Sequence, residues 1–250
     1  MDDMGNLTGK TALVTGASRG IGRAIAERLA ADGAQVIVHY ASNEALAKEV
    51  VDAIGGGAYA VRAAFEDGVD ELFDGLRGER LDIVVNNAAI LGGRLGTITP
   101  ADFDRVFAVN VRAPYFVIER ALPLMNDGGR IINISSAVVR IALPDVVYSM
   151  TKGALDTLGF TLAPLLGERN ITVNTVSPGV TETDMNSWLR DDPTGGSQVT
   201  SLTALGRIGR PSDIADAVSL LASDDARWIT GHVLDVTGGY FLGPEGGVVP

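Results

Sequence analysis

The chain has 250 residues, enough for one large α/β domain or two small ones, and its 46% hydrophobic and 20% charged residues suit a sizeable core. Its formal net charge of −11 repels phosphate backbones, so no nucleic-acid partner is expected. Cysteine is absent and His39 and His232 are the only histidines, which excludes disulfides and thiolate metal sites and argues against any metal centre.

The chain opens on Asp2 and Asp3, where a secretory leader would be basic, and no apolar run is long enough to span a membrane. A cytoplasmic protein without a membrane partner is expected. Thr11 to Thr15 reads as a short strand, followed by a glycine-rich turn and a helix over 21–31 with Ile21, Ala24, Ile25 and Leu29 at helical spacing. A strand over 34–39, a helix over 44–54 and a strand over 58–63 follow. Leu81 to Val85 is an apolar run suited to a sheet buried on both faces. The spacing then predicts a long helix over 100–124, a strand over 130–134, a helix over 149–166 and a strand over 171–176. A helix over 211–222, opened by Pro211-Ser212, and a last strand over 233–236 complete the pattern. Residues 181–206 lack periodicity and are read as a substrate loop. Seven strands separated by helices predict one Rossmann-type, doubly wound parallel sheet with helices on both faces, a single domain spanning 1–250.

The turn Gly16-Ala17-Ser18-Arg19-Gly20-Ile21-Gly22 joins the first strand to the first helix. Glycines permit a tight turn and close approach of a ligand, and the helix N-terminus offers N–H groups to a pyrophosphate. The same residues match the G-x-S-x-G elbow of serine hydrolases, with Ser18 as nucleophile. An elbow on the first strand, however, leaves no earlier loop for an oxyanion hole. An NAD-binding turn is usually followed about 20 residues later by a carboxylate for the ribose hydroxyls. Here Tyr40, Ala41, Ser42 and Asn43 stand there, with no acid before Glu44, and Arg19 lies in the turn. A 2′-phosphate is welcomed by arginine and repelled by an acid, so the expected cofactor is NADP(H).

Tyr148 and Lys152 are four residues apart at the start of a helix, so phenol and ammonium share a face. A nearby cation favours the phenolate, and the pair can pass a proton to or from a substrate oxygen. Ser135 and Ser136 end the fifth strand, and Asn86-Asn87-Ala88-Ala89 the fourth, where sites form in open parallel sheets. The small alanines leave room for a flat ring. Lysine occurs only at 10, 48 and 152 among 20 basic residues.

Together these motifs resemble the short-chain dehydrogenase/reductase family, in its single-domain branch that includes 3-oxoacyl carrier-protein reductases. The likeness runs from about Leu7 to Tyr240 and includes Asn110 and Ser177-Pro178-Gly179. The resemblance implies Tyr148 as general acid/base, Lys152 lowering its pKa and binding the nicotinamide ribose, a serine orienting the carbonyl, and Asn110 holding a relay water. It also implies that Pro178, Gly179, Val180, Thr181 and Thr183 line the nicotinamide and pyrophosphate. Homo-oligomers, tetramers or dimers, would pair helices near 103–125 and 149–167.

Several departures stand out. Ser135 matches the family's usual distance to the tyrosine and Ser136 falls one residue short; Ser136 is preferred because it ends a rigid strand. Ala64-Phe65 replaces an Asp-Val pair that contacts adenine, with Asp67 displaced. The segment 65–81 is short, so its helix is expected to be abbreviated. Ala89 replaces a glycine, and Pro164 inside a helix predicts a kink or an early change of geometry. The expected reaction is reduction of a ketone to a secondary alcohol, reversibly, in a pocket lined by Leu91, Val138, Val139, Val180, Met185, Trp188 and Leu189. The alternative from another class is a silent dinucleotide sensor or scaffold. His39 reads as a strand or surface residue that could touch a 2′-phosphate, Trp228 and His232 as packing near the last strand. Asp191-Asp192 and Asp224-Asp225 read as solvated turns or helix starts.

Overall fold

The computed structural model describes residues 7–191, 193–240 and 242; Asp2, Asp3 and Asp192 lie outside them. Seven parallel strands form one sheet in the order β3-β2-β1-β4-β5-β6-β7. They are β1 (Thr11–Val14), β2 (Gln35–Tyr40), β3 (Tyr59–Arg62), β4 (Leu81–Asn86), β5 (Met125–Ile134), β6 (Thr172–Pro178) and β7 (Val233–Val236). Nine α-helices are described: α1 (Gly20–Ala31), α2 (Glu44–Ile54), α3 (Asp70–Asp74), α4 (Pro100–Phe107), α5 (Ala113–Ala121), α6 (Val146–Leu166), α7 (Trp188–Asp191), α8 (Pro193–Leu202) and α9 (Pro211–Ala222).

Alternation along the strands divides the core. Val14, Val36, Val38, Ile83 and Val85 point to one face and pack against Ile25 and Leu29 of α1, Val50 of α2 and Val218 of α9. Leu13, Ile37, Val84, Ile131 and Val173 point to the other and meet Leu72 of α3, Val117 and Ile118 of α5 and Leu166 of α6. Strand order reverses between β1 and β4, both of which feed loops at their carboxyl ends. In such sheets that crevice is where ligands bind.

The structure corrects four local expectations. The helix expected over 100–124 ends at Ala121 and is interrupted by a π-turn over Ala108–Arg112, which holds Asn110. The stretch 181–206 is not a bare loop, since a 3₁₀ turn at Asp184–Asn186 and the helices α7 and α8 occupy most of it. Helix α6 continues through Pro164 to Leu166 and only then tightens into a 3₁₀ turn over Gly167–Arg169. Trp228 does not pack at all, being 96% exposed. The abbreviated helix after β3 is present as the five residues of α3.

Candidate active site

The glycine turn is fixed from three sides. Thr15 Oγ1 accepts the N–H groups of Asn87 (2.9 Å) and Ala88 (3.1 Å). Asn87 Nδ2 donates to the carbonyls of Thr15 (2.9 Å) and Gly16 (3.1 Å). The Gly16 N–H donates to His39 Nδ1 at 3.0 Å. That bond leaves the proton of His39 on Nε2, which donates to the Ala63 carbonyl at 3.1 Å. Burial holds this imidazole neutral, its pKa lowered to about 4. His39 is therefore a buried strut under the turn, with both ring nitrogens engaged, and not a phosphate contact. Phe65 stacks on it at 4.2 Å, so the residue standing in the family's adenine-contact position serves the same strut.

Gly16 has φ +64°, and a Cβ there would lie 2.8 Å from Ala88 Cα. A Cβ on Gly22 would lie 2.3 Å from the Gly16 carbonyl oxygen, so neither position admits a side chain without moving the turn. Helix α1 then starts with no side-chain cap and no acid in its first turn. Its open N–H groups and dipole suit a pyrophosphate. Exposed Arg19 lies 3.9 Å from Asp184. A cleft of about 430 Å³ between the turn and the segment after β6 is lined by Gly20, Glu182, Thr183, Asp184, Asn186, Leu189 and Ile208. Another, of about 350 Å³, lies at the opposite end of the sheet around Lys10, Gly33 and Gly55, away from these residues. Tyr40 is buried, whereas Ala41, Ser42 and Asn43 are exposed beyond β2, where Asn43 caps α2 through Leu46 N–H (3.1 Å).

At the carboxyl ends of β5 and β6 the second group assembles. Lys152 is 2% exposed, donates from Nζ to the Ile134 carbonyl at 2.7 Å, and lies 5.4 Å from the Tyr148 ring centroid. Burial lowers this ammonium to about 8. Tyr148 is pushed up to about 12, first by burial; the Ser136 hydroxyl lowers it and the Asp145 charge raises it. The expectation that Lys152 makes this phenol acidic is thus not met here. The ammonium is turned to a backbone carbonyl, and the burial that weakens its own charge also penalises a phenolate. Ser136 bonds with the phenol, while Ser135 is buried and donates to the Lys152 carbonyl (3.2 Å). Asn110 is fully buried. Its Oδ1 accepts Ile90 N–H (2.9 Å), and its Nδ2 donates to the Ile90 carbonyl (2.9 Å) and to Thr151 (3.1 Å). Its side chain thus braces the loop after β4 against the residue preceding Lys152.

The segment after β6 is tied down by its own residues. Thr181 Oγ1 donates to the Gly179 carbonyl (3.0 Å), and Asn186 Nδ2 to the Thr181 carbonyl (3.0 Å). A Cβ on Gly179 would meet Thr237 Cα at 2.9 Å. Leu91, Val139, Met185 and Trp188 expose apolar surface, Val138 less. Ser18 sits at the carboxyl end of the interior strand β1, whereas His232 precedes the amino end of the parallel edge strand β7. With His39 committed to two backbone groups, Ser18 has no base, and the hydrolase reading falls. Among the described residues no acidic or histidine cluster could hold a metal, and no helix is long and apolar enough to cross a membrane. Sequence reasoning missed the roles of His39 and of Asp145, which caps α6. The Asp three residues before Tyr148 is a readable cap signal, whereas nothing local marks His39.

Comparison with known proteins agrees with this architecture. A family model described as enoyl-(acyl carrier protein) reductase matches residues 16–241. Versicolorin reductase 1 of Aspergillus parasiticus is 42% identical over 261 residues, covering 96% of this chain and all of that protein. Trihydroxynaphthalene reductase PfmaI of Pestalotiopsis fici is 40% identical over 254 residues, covering 93% of this chain and 90% of that one. The crystal structure of the angucycline C-6 ketoreductase LanV with bound NADP superposes with a TM-score of 0.89 at 49% identity, covering 95% of this chain and 98% of that one. With a match of that extent over a seven-stranded parallel sheet, the chain belongs to the short-chain dehydrogenase/reductase family.

Proposed function

We propose that the protein is an NADP(H)-dependent ketoreductase, converting a ketone carried on a fused-ring aromatic body to a secondary alcohol. The nicotinamide supplies the hydride when bound. Gly16, Ser18, Gly20, Ile21 and Gly22 would take the pyrophosphate at the start of α1. Arg19, with Tyr40, Ala41 and Ser42, would take the 2′-phosphate, unopposed by any acid from Tyr40 to Asn43. Asn87, Ala88, Ala89, Pro178, Gly179, Val180, Thr181 and Thr183 would bound the nicotinamide half.

Tyr148 would protonate the ketone oxygen. A phenol pushed up to about 12 is fully protonated at neutral pH, the form a general acid requires. Ser136 would hold the same oxygen through its hydroxyl, and Lys152, turned from the Ile134 carbonyl toward a ribose, would offset charge as the proton leaves. Asn110 would support the proton relay. The exposed apolar side chains of Leu91, Val139, Met185 and Trp188 suit a flat hydrophobic body, which the names of the reduced aromatic substrates of its relatives parallel. The single observation that carries the reading is the Ser136–Tyr148–Lys152 group at the carboxyl end of β5, beside an uncapped glycine turn.

The test is NADPH absorbance with a panel of fused-ring ketones, repeated with Tyr148→Phe. Loss of the acid is expected to lower kcat by about 10²- to 10⁴-fold while NADPH still binds. Wild-type turnover by that variant on a reduced ketone would remove the proposed mechanism. Tight NADPH binding with no oxidation across the panel would favour a sensor instead.

A further inference from the structure

Beyond capping α6, the Asp145 carboxylate binds two further backbone N–H groups beside Tyr148. Its Oδ1 accepts the Tyr148 N–H at 3.0 Å, capping α6, and the Gly93 N–H at 3.2 Å. Its Oδ2 accepts the Gly92 N–H at 2.9 Å. Its backbone forms an isolated antiparallel bridge with Arg94, and its carbonyl accepts the Ser149 hydroxyl at 2.9 Å. One carboxylate therefore ties the loop after β4 to the first turn of the helix that carries the phenol. We propose that Asp145 is a positioning residue that locks the substrate wall at Leu91–Gly93 to Tyr148, so that ketone and acid keep one relative geometry. This rests on the ketoreductase reading above.

Only a carboxylate fits the task. Three N–H groups converge on two acceptor oxygens, and an asparagine would present an NH₂ to one of them. The charge acts as well: Asp145 raises the Tyr148 pKa. The groups facing this phenol are Ser136 from the end of β5, Asp145 from the cap and Lys152 from the next turn, with Asp156 one turn beyond acting on Lys152. Removing the negative charge of Asp145 beside Tyr148 lowers the pKa of the phenol.

Asp145→Asn is expected to raise the KM for a bulky ketone about tenfold, the usual scale for a lost charge-assisted hydrogen bond. The NADPH dissociation constant should stay within about twofold, because among the residues placed on the cofactor Asp145 meets only Tyr148, and that through its backbone N–H, and the alkaline limb of kcat/KM should move to lower pH. Gly92→Ala attacks the clamp from the other side, since its Cβ would lie 2.8 Å from Asp145 Oδ1 and 3.1 Å from Val147 Cβ. It should raise the ketone KM while leaving the alkaline limb in place. An Asp145→Asn variant that loses thermal stability but keeps both the ketone KM and the alkaline limb would overturn the proposal, leaving a plain helix cap. If that variant does not fold, an unchanged ketone KM in Gly92→Ala overturns it equally. Failure of the ketoreductase reading itself would appear in the wild-type protein, as no ketone reduced.

Discussion

His39 pays a measurable cost for its position. Its imidazole is 1% exposed, accepts a backbone N–H on Nδ1 and donates from Nε2, so protonation would both bury a charge and set N–H against N–H. Between pH 6.5 and about 4 the unfolded chain binds a proton that the folded one refuses. Stability from this residue is thus fully present above pH 6.5 and declines as pH falls toward 4, by about 3 kcal/mol in all. Denaturant unfolding at a series of pH values should show the decline, and His39→Gln should flatten it; an equal slope in both would remove His39 as its source. Tyr148 and Lys152 were legible in the sequence because a helix brings residues four apart to one face. His39 was not, because its partners Gly16 and Ala63 are 23 and 24 residues away and meet it only through the register of the sheet. The phenol's raised pKa was equally hidden, since it follows from burial, which spacing does not report.

At the scale of elements, strands and long helices were readable from apolar periodicity, while α7, α8 and the π-turn at Ala108–Arg112 were not. The first two lie in a polar, glycine-containing stretch with no apolar face to count. The π-turn is a one-residue widening of the helical ladder, of a kind that recurs at functional sites. How closely α6 approaches the sheet also follows from one small residue. Gly159 packs over the buried polar side chains of Thr175 on β6 and Asn133 on β5, and Asn86 of β4 continues that row, its Nδ2 donating to Asn133 Oδ1 at 3.0 Å. A Cβ on Gly159 would lie 2.6 Å from Thr175 Oγ1. Alanine would gain about 1 kcal/mol of helix propensity, but overpacking a filled site costs about 1–3 kcal/mol. The clash is expected to win. Gly159→Ala should lower Tm and also kcat, because α6 carries Tyr148 and Lys152 across the same contact. A higher Tm in this variant would mean that Thr175 rotates freely and that the helix is not held at its limit.

For the whole molecule, the charge of −11 says nothing about where apolar surface remains, and the structure locates it. Val146, Met150 and Phe160 share one side of α6 by helical spacing and are exposed, Phe160 by 69%, and Leu165 near the end of the helix is 72% exposed; Tyr115 and Phe116 are exposed on α5. Isolated exposed apolar residues need no explanation, but several on one side of the longest described helix are what association with a second copy would cover. Pairing the α5 and α6 faces of two copies would bury it without needing net charge complementarity, since no charged side chain stands among these six. The expected solution species is therefore a dimer or tetramer of the 26.1 kDa chain by light scattering. Phe160→Asp should weaken it, because a carboxylate forced into an apolar contact costs several kcal/mol, about a hundredfold or more in dissociation constant. As the same helix holds the proposed acid, dissociation should lower kcat together with the mass, at concentrations where the wild type stays assembled. A wild-type protein that runs as a monomer at micromolar concentration would show that these side chains serve something other than a second copy of the chain.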